Sequence, residues 1–429
     1  MKILIVSTFF PPENSIASFR PYSWAKWWSK AGHKVTVLTT EKEVSSNDLH
    51  KDLSGFNIIE LPLPHFFRKN RSVSNENHVI EQKVLQTIPE NKNFIKRILL
   101  WYMKKTGCFN SRFPSLTDFW AINARKAVNP FDYDAVISTG GPYSVHFVAD
   151  YLKKKNTELI WCVDWRDYWT LSAECHGSIL FRWWEKLKDK SFLNHANFVT
   201  TVSDQFRDNF QFLTQTKVYT IYNGYDPDDF NIIEPYIRGN EKLLIVYAGT
   251  IYDAIQDPSP LFRAISELKR EGKIVVGDVK VFFCGSCSQI ISKVIKFDIS
   301  EFVSYLGTLS HEQAVSLEKA ADVVLFLGHE APEARGVLTG KLYEYLYCTK
   351  EIWAIGISNK MQAGEFIERA NAGKVLFTDI EKIKQAIIEK ISNEDSVLTS
   401  KDMNFIKQFD RKILANNLLE IFNQIYIKR

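Results

Sequence analysis

The chain has 429 residues, about three times the roughly 150 residues of an average domain, so we expect two domains. Hydrophobic residues make up 45% of it and charged residues 24%, which excludes a disordered or fibrous protein. The formal net charge of +4 is too small to favour nucleic-acid binding, and no nucleic-acid partner is expected.

The first part of the chain alternates predicted strands and helices. An apolar run at 2–8, a helical stretch at 17–31 that stops at Gly32, and a strand at 34–40 form a β–α–β unit. After an irregular middle, further strands are predicted at 134–138, 158–163, 198–202 and 218–222. This alternation is typical of a parallel sheet covered by helices, whose ligands bind outside the carboxyl ends of the strands.

A second series of the same kind follows a polar, turn-rich segment at 224–241. Its predicted strands lie at 243–248, 279–284, 303–306, 323–327, 352–355 and 374–377. An apolar pattern with helical spacing predicts a terminal helix in the last 25 residues. The sequence therefore predicts an α/β protein of two doubly wound, Rossmann-like domains, at 1–230 and 231–405, followed by a C-terminal helix at 406–429.

Common nucleotide and metal motifs are missing. The loop after the first strand, STFFPPENSIAS, has no glycine, which excludes a dinucleotide fingerprint there. The segment GVLTGKL at 336–342 departs from the Walker pattern. Cys284 and Cys287 form a lone CxxC without the second pair that a zinc site needs, so a tight glycine turn is the preferred interpretation.

Three stretches form an ordered set at domain-scale spacing. They are FPPE at 10–13 with GHKVTVLT at 32–39, IYNGYD at 221–226 with Phe230, and GKLYEYL at 340–346. With them the chain resembles the family-4 glycosyltransferases of GT-B fold. STGGPYSVH at 138–146 and DWRDYW at 164–169 are similar to segments of aminosugar transferases of bacterial surface-polysaccharide assembly. The resemblance implies two Rossmann-like domains facing a central cleft, with the C-terminal helix returning toward the N-terminal domain.

The resemblance also implies an activity. The protein would be a retaining hexosyl- or aminosugar transferase of O-antigen or lipopolysaccharide synthesis, moving a sugar from a nucleotide diphosphosugar to a growing saccharide or a polyprenyl-diphosphate-linked acceptor. It would need no metal and no other cofactor. Two alternatives stay open: a GT-B sugar-nucleotide epimerase acting on a soluble substrate, and an inactive nucleotide- or sugar-binding protein.

A donor site is predicted in the second domain. After a strand, Gly249 lets the backbone approach a diphosphate, and Thr250 can donate a hydrogen bond. Lys341 near a helix start supplies positive charge, followed by Leu342 of the same motif. Glu344 matches the ribose-binding glutamate of the resembled family. As a carboxylate waiting for a ligand, Glu344 should contribute little to the stability of the empty protein.

The donor motif departs from the family pattern in two places. Gly336 stands where family members often have a first glutamate, with Glu330 and Glu333 nearby but out of register. The family's Arg and Lys after the first donor-domain strand are also missing. Lys341 is therefore the leading candidate to meet the diphosphate charge.

A second group of polar residues follows strands of the first domain. Three of them are expected to be catalytic, in direct contact with the reacting groups: Asp164, Asp167 and His146. The other three are expected to contact a phosphate or the acceptor: Arg166, Gly140 and Gly141. A structural Asp–Arg ion pair and a packed histidine are the alternatives.

A basic amphipathic helix is predicted at 91–105, within a membrane-facing insertion at about 90–115 of the first, acceptor-binding domain. Its candidate membrane-binding residues are Lys96, Arg97, Trp101, Lys104 and Lys105. Arg112 is a further basic flank, and ten of the eleven tryptophans precede residue 190. A helix packed on the domain with a charged solvent face is the alternative. The N-terminus lacks a signal-peptide pattern and no run approaches the roughly 20 apolar residues of a membrane span. We therefore expect a cytoplasmic protein, peripheral on the inner face of the membrane.

Overall fold

The computed structural model describes residues 1–13, 15–42, 49, 51–63, 93–106, 108–109, 112–170, 177–252, 255–348, 351–392 and 400–429. By its internal contacts the chain divides into two compact units. The first comprises Met1–Tyr222 with Ala415–Arg429, and the second comprises Asn223–Leu414. Among the helices in the described part of the chain, none is long and apolar enough to cross a membrane.

The first unit is built on a parallel sheet. Its strands are β1 (Lys2–Val6), β2 (Lys34–Thr40), β3 (Asn57–Leu61), β6 (Ala135–Gly140), β7 (Ile160–Trp165), β8 (Phe198–Thr201) and β9 (Val218–Thr220), while β4 (Cys108–Phe109) pairs with β5 (Arg112–Ser115). The described strands follow the order β3-β2-β1-β6-β7-β8-β9. Helices are α1 (Ile16–Lys30), α2 (Asn93–Thr106), α3 (Leu116–Ala124), α4 (Ser144–Lys155), α5 (Ile179–His195) and α6 (Asp204–Leu213).

The second unit repeats this plan. Its strands are β10 (Leu243–Ala248), β11 (Val279–Cys284), β12 (Val303–Tyr305), β13 (Val323–Leu327), β14 (Glu351–Ile355) and β15 (Gly373–Phe377), in the order β12-β11-β10-β13-β14-β15. Its helices are α7 (Pro227–Asn231), α8 (Ser259–Arg270), α9 (Ile290–Lys296), α10 (His311–Ala320), α11 (Gly340–Cys348), α12 (Gln362–Arg369), α13 (Ile380–Ser392) and α14 (Met403–Lys407).

A last helix, α15 (Arg411–Ile427), begins in the second unit and continues into the first. The indole Nε1 of Trp28 donates to the carbonyl of Ala415 at 2.8 Å. Phe422 packs edge-on against Trp28 and Phe198, with centroid distances of 5.9 and 4.9 Å. The predicted return of the C-terminal helix to the N-terminal domain is confirmed.

The central strands are buried apolar runs, as expected when helices cover both faces of a parallel sheet, and the edge strands β3 and β15 are more exposed. The predicted α/β class with two parallel sheets is confirmed. Strands β6 and β7 each extend two residues beyond their predicted ends at 138 and 163. They do so because Thr139 and Asp164, although polar, are buried and satisfy each other: the Thr139 hydroxyl donates to the carboxylate at 2.7 Å. Strand β3 lies in the segment that the sequence analysis treated as irregular.

Candidate functional site

The described strands of the second unit reverse their order between β10 and β13, the position where doubly wound sheets bind ligands. Glycines line the strand ends there. Gly285 has φ +106°, and a Cβ atom on it would lie 2.9 Å from the carbonyl carbon of Gly249. Gly356 has φ +82°, and its Cβ would lie 3.1 Å from the carbonyl carbon of Gly328. We call these four glycines the glycine floor, since a side chain at Gly285 or Gly356 would collide with backbone.

Helix α11 begins at Gly340 and carries the predicted donor residues Lys341, Leu342 and Glu344. Its Tyr345 hydroxyl lies 3.4 Å from the backbone nitrogen of Ala248, next to Gly249 of the glycine floor. The Lys341 ammonium lies 2.9 Å from Glu318 Oε1 and 3.0 Å from Glu344 Oε2. Glu318 comes from helix α10 and is fully buried, Glu344 is 5% exposed, and the Lys341 side chain is about a quarter exposed. These three residues form the acid–lysine cluster. Glu344 was expected to contribute little to the empty protein, but the chain buries this carboxylate against an ammonium group.

Charge within the acid–lysine cluster is unevenly shared. Burial, together with repulsion from Glu344, raises the pKa of Glu318 to about 7. Burial also disfavours charge on Glu344, but the ammonium of Lys341 outweighs it and leaves the pKa of Glu344 below its usual value. Burial alone would lower the pKa of Lys341, but the two carboxylates outweigh burial and hold the pKa well above its ordinary value. Lys341 and Glu344 are therefore the charged pair, and Glu318 is the group that titrates near neutrality.

The other predicted donor residues have different environments. Thr250 is exposed beside Gly249, where it can reach a ligand. Leu342 is fully buried and belongs to the core. Gly336 is also buried, and after β13 a cleft of about 300 Å³ is lined by Glu330, Ala331, Pro332, Arg335, Lys360 and Met361. The exposed cations Arg335 and Lys360 add positive charge near the ends of β13 and β14. No motif marked them in the sequence.

The CxxC pair forms the tight glycine turn that was preferred. Cys284 and Cys287 are buried around Gly285, and burial raises the pKa of each thiol to about 12, so neither is a reactive thiolate. No cluster of three or more His, Cys, Asp or Glu side chains within the described ranges is arranged to hold a metal ion.

In the first unit, Asp164 is the next-to-last residue of strand β7, and each of its carboxylate oxygens accepts two hydrogen bonds. Arg20 of α1 donates to it twice, at 2.6 and 3.0 Å, and the hydroxyls of Thr139 and Thr200 donate at 2.7 Å each. Arg20 also donates to the carbonyls of Ile221 and Tyr222. The pair therefore joins α1, β7 and the chain after β9. An Asp–Arg ion pair is present, as the alternative interpretation proposed, but the arginine is Arg20 and not the neighbouring Arg166.

Arg166 donates hydrogen bonds to the turn at Gly140 and Gly141, where β6 ends. Its guanidinium donates to the carbonyls of Gly140 at 2.7 Å and Gly141 at 3.1 Å, and to Ala17 of α1 at 3.2 Å. The side chain of Asp167, the next residue, is exposed. These contacts bring Arg166, Gly140 and Gly141 together at one sheet edge, with Asp167 next in the chain.

His146 is fully buried and points at the same turn. Its Nδ1 lies 2.9 Å from the Ser138 hydroxyl, which also accepts from the indole N–H of Trp161 at 2.9 Å. Because an indole N–H can only donate, Ser138 keeps its own proton for another acceptor, and donation of that proton to Nδ1 would place the imidazole proton on Nε2. Nε2 has no hydrogen-bond partner among the described residues, and a Cβ at Gly140 would collide with it. Burial lowers the pKa of His146 to about 3, so it is a neutral donor.

The predicted membrane helix is α2. Arg97, Ile98, Trp101 and Lys105 are exposed, and the Lys105 ammonium lies 4.8 Å from the Trp101 ring centroid. The side chains of Lys96 and Lys104 lie outside the described residues. Arg112 is not a basic flank of this surface: it is buried in an ion pair with Glu185 at 2.8 Å.

Helix α5 buries its acidic residues and exposes large apolar ones, the reverse of the usual arrangement, and no sequence motif indicated this. It buries the carboxylates Glu185 and Asp189 and exposes four large apolar side chains, Ile179, Leu180, Trp183 and Leu187. The Tyr102 hydroxyl of α2 lies 2.6 Å from the Ser178 hydroxyl at the start of α5, so the two helices are neighbours. Trp24, Trp28, Trp120, Trp161 and Trp165 are core residues, whereas Trp101 and Trp183 are 60% and 72% exposed.

Comparison with known proteins bears on the fold. No protein-family model matches the chain, and no curated protein matches its sequence. Among solved structures it is similar to sucrose-phosphate synthase from Thermosynechococcus elongatus, at 12% identity over 100% of both chains with a TM-score of 0.62. It is also similar to a lipopolysaccharide outer core galactosyltransferase, at 11% identity over 99% and 100% of the two chains with a TM-score of 0.56. A protein from Listeria monocytogenes named as a UDP-N-acetylglucosamine 2-epimerase matches at 10% identity over 100% and 97%, with a TM-score of 0.53. The fold is GT-B, as predicted.

Proposed function

We propose that the protein is a retaining glycosyltransferase that moves a sugar from a nucleotide diphosphosugar to a saccharide or polyprenyl-diphosphate-linked acceptor in bacterial surface-polysaccharide synthesis. The observation that carries the proposal is the acid–lysine cluster at the start of α11, beside the glycine floor, in a chain of GT-B fold. The sequence likeness to family-4 and aminosugar transferases supports the same class of reaction.

The donor would bind through complementary chemistry in the second unit. Glu344 is held as a carboxylate, which can accept hydrogen bonds from both ribose hydroxyls. A Cβ atom at Gly249 would meet only the Tyr247 side chain, at 3.5 Å, so a diphosphate could approach the backbone there, and the amino end of α11 favours negative charge. Among the described cations of the second unit, Lys341, Arg335 and Lys360 would take the place of the Arg and Lys of the family pattern, which this chain lacks.

In the first unit, the neutral imidazole of His146 would pack against Gly140 and hold the turn that meets the reacting sugar or its phosphate. Asp164 would act by holding α1 and β7 together, since its acceptors are used. Transfer would then depend on positioning and on neutralising the leaving diphosphate, with no metal and no covalent intermediate.

Nucleotide release tests this proposal. Purified protein is incubated with UDP- and GDP-linked sugars, with and without lipid-linked acceptors from a bacterial membrane extract. We expect acceptor-dependent release of nucleoside diphosphate and a product that keeps the anomeric configuration of the donor, measured by proton NMR. Conversion of the donor sugar without acceptor would support the epimerase alternative, which the 2-epimerase-like neighbour favours. Nucleotide binding without turnover would indicate an inactive binding protein.

We further propose that helices α2 and α5 bind the cytoplasmic membrane surface, where the acceptor would be found. Ile179, Leu180 and Trp183 of α5 are exposed beside the basic and aromatic face of α2. An amphipathic face with exposed tryptophans and basic neighbours suits the interface of anionic lipids. Helix α5 keeps its acidic residues inside, so they do not oppose this attraction.

A further inference from the structure

Glu318 is the member of the acid–lysine cluster that no sequence motif marked. It is fully buried on α10, its Oε1 accepts from Lys341, and its Oε2 has no hydrogen-bond partner in the described part of the chain. A buried carboxylate oxygen without a partner is costly, and it is tolerated where the group has a task beyond stability.

In the empty site, one ammonium serves two carboxylates. The Lys341 ammonium lies 2.9 Å from Glu318 and 3.0 Å from Glu344, so its charge is already neutralised and the two carboxylates hold it in place. A bound diphosphate would compete for the same ammonium. If Lys341 turned toward the phosphates, Glu318 would be left buried without a counter-charge, a state that proteins avoid by protonating the carboxyl group.

We propose that Glu318 is a positioning residue for Lys341, which it holds in the empty site and releases to the diphosphate of the donor by taking up one proton from solvent. The inference rests on the proposed donor site. It explains how a lysine already paired with two carboxylates can still meet the charge of a ligand.

The surroundings of Glu318 agree with this role. The ionisable side chains nearest to it, or to the ammonium it holds, are Lys341, Glu344, Tyr345, Tyr247 and Cys284. Burial raises the pKa of Cys284 to about 12 and the pKa values of both tyrosines above their ordinary values, so these groups stay neutral between pH 6 and 9. Glu318, whose pKa burial raises to about 7, is the group of this set placed to exchange a proton. His311 and Arg411 act on Glu344.

The test is calorimetric titration of five probes, UDP, GDP, ADP, CDP and dTDP, at pH 8 in buffers of different ionisation enthalpy. At pH 8 the terminal phosphate of each probe is ionised, since its pKa is about 6. With the probe that binds, we expect wild type to take up a large fraction of one proton and Glu318→Gln to take up none. Between pH 7 and 9 the wild-type affinity should fall by up to tenfold per pH unit, and that of Glu318→Gln should stay level.

Glu351→Gln is the matched control. Glu351 is also buried and paired with a lysine, Lys390 at 2.8 Å, but it lies on β14 outside the cluster. It should lose stability as Glu318→Gln does and still take up the proton. Binding with equal proton uptake in wild type and Glu318→Gln would overturn this inference and leave the donor site standing. Failure of all five probes to bind would overturn the donor site and the inference with it.

Discussion

The guanidinium of Arg20 meets the carboxylate of Asp164 in two hydrogen bonds, of 2.6 and 3.0 Å, although 144 residues separate them in the chain. Both side chains are buried. The pair connects helix α1 to strand β7, whose carboxyl end carries the predicted catalytic residues. Replacing Asp164 should therefore lower the stability of the fold, whatever its effect on activity.

Replacing Asp164 by Asn should lower the free energy of unfolding by about 3–5 kcal/mol, because it leaves Arg20 as an uncompensated buried charge. Burial raises the pKa of Asp164, but Arg20 and the two threonine hydroxyls outweigh it and hold the pKa below its ordinary value. The stabilisation is therefore present above pH 3.8 and is lost as the pH falls below it. Urea titration measures this. Asp167→Asn, at an exposed position, is the control, and equal stability of the two variants would refute the structural role.

His146 should stay neutral, with its proton on Nε2, throughout pH 5–8. Because its folded pKa is about 3, below the ordinary 6.5, it contributes stability that is present above pH 6.5 and is lost as the pH falls toward 3, by up to about 1.4 kcal/mol per pH unit. Nitrogen-15 NMR of labelled histidines reports the tautomer directly. A histidine titrating near pH 6.5 that disappears in His146→Phe would contradict the assignment.

Replacing Glu344 by Gln should reduce nucleotide affinity on the order of tenfold or more, because charge-assisted hydrogen bonds to ribose contribute roughly 1.5–3 kcal/mol each. Stability should also fall, by about 1–3 kcal/mol, since the carboxylate is buried against Lys341. Calorimetric titration and thermal melts separate the two effects. Glu365→Gln, at an exposed position in the same unit, should change neither. Equal nucleotide affinities in wild type and Glu344→Gln would remove Glu344 from the donor site.

Replacing Lys96, Arg97, Lys104 and Lys105 by Gln should weaken sedimentation with phosphatidylglycerol vesicles, since each charge near such a surface contributes about 1 kcal/mol. Trp183→Ser on α5 should weaken it too, and this loss should persist in high salt, where the charge effect is screened. Phe212→Ser, at another exposed aromatic position of the first unit, is the control. Unchanged sedimentation of the Trp183 variant would limit the membrane surface to α2.

Sugar transfer should continue in EDTA. The proposed neutralisation of the diphosphate uses Lys341, exposed cations and the amino end of α11, and no metal ion. Initial rates with and without chelator, after dialysis against it, are the measurement. Loss of activity that Mg²⁺ or Mn²⁺ restores would overturn this assignment.

The order of strands and helices could be predicted because apolar periodicity and glycine stops are local signals. Lys341 and Glu344 could be predicted because they share one helix motif. Glu318 could not, since it reaches the cluster from a separate helix and nothing in its own neighbourhood of sequence distinguishes it from a surface glutamate. Arg20 was missed for the same reason. The exposed apolar face of α5 was missed because apolar spacing alone does not show which face of a helix is buried.

Helix α15 has a consequence for how the protein is made. The carbonyl of Ala415 and the ring of Phe422 complete the packing around Trp28, yet the ribosome synthesises them only after all of Asn223–Leu414. At translation rates of about 5–20 residues per second, the N-terminal unit waits roughly 10–40 s for the piece that closes its core. During that interval Trp28 and Phe198 lack their final cover, so nascent chains stalled before residue 415 should be the forms that chaperones retain.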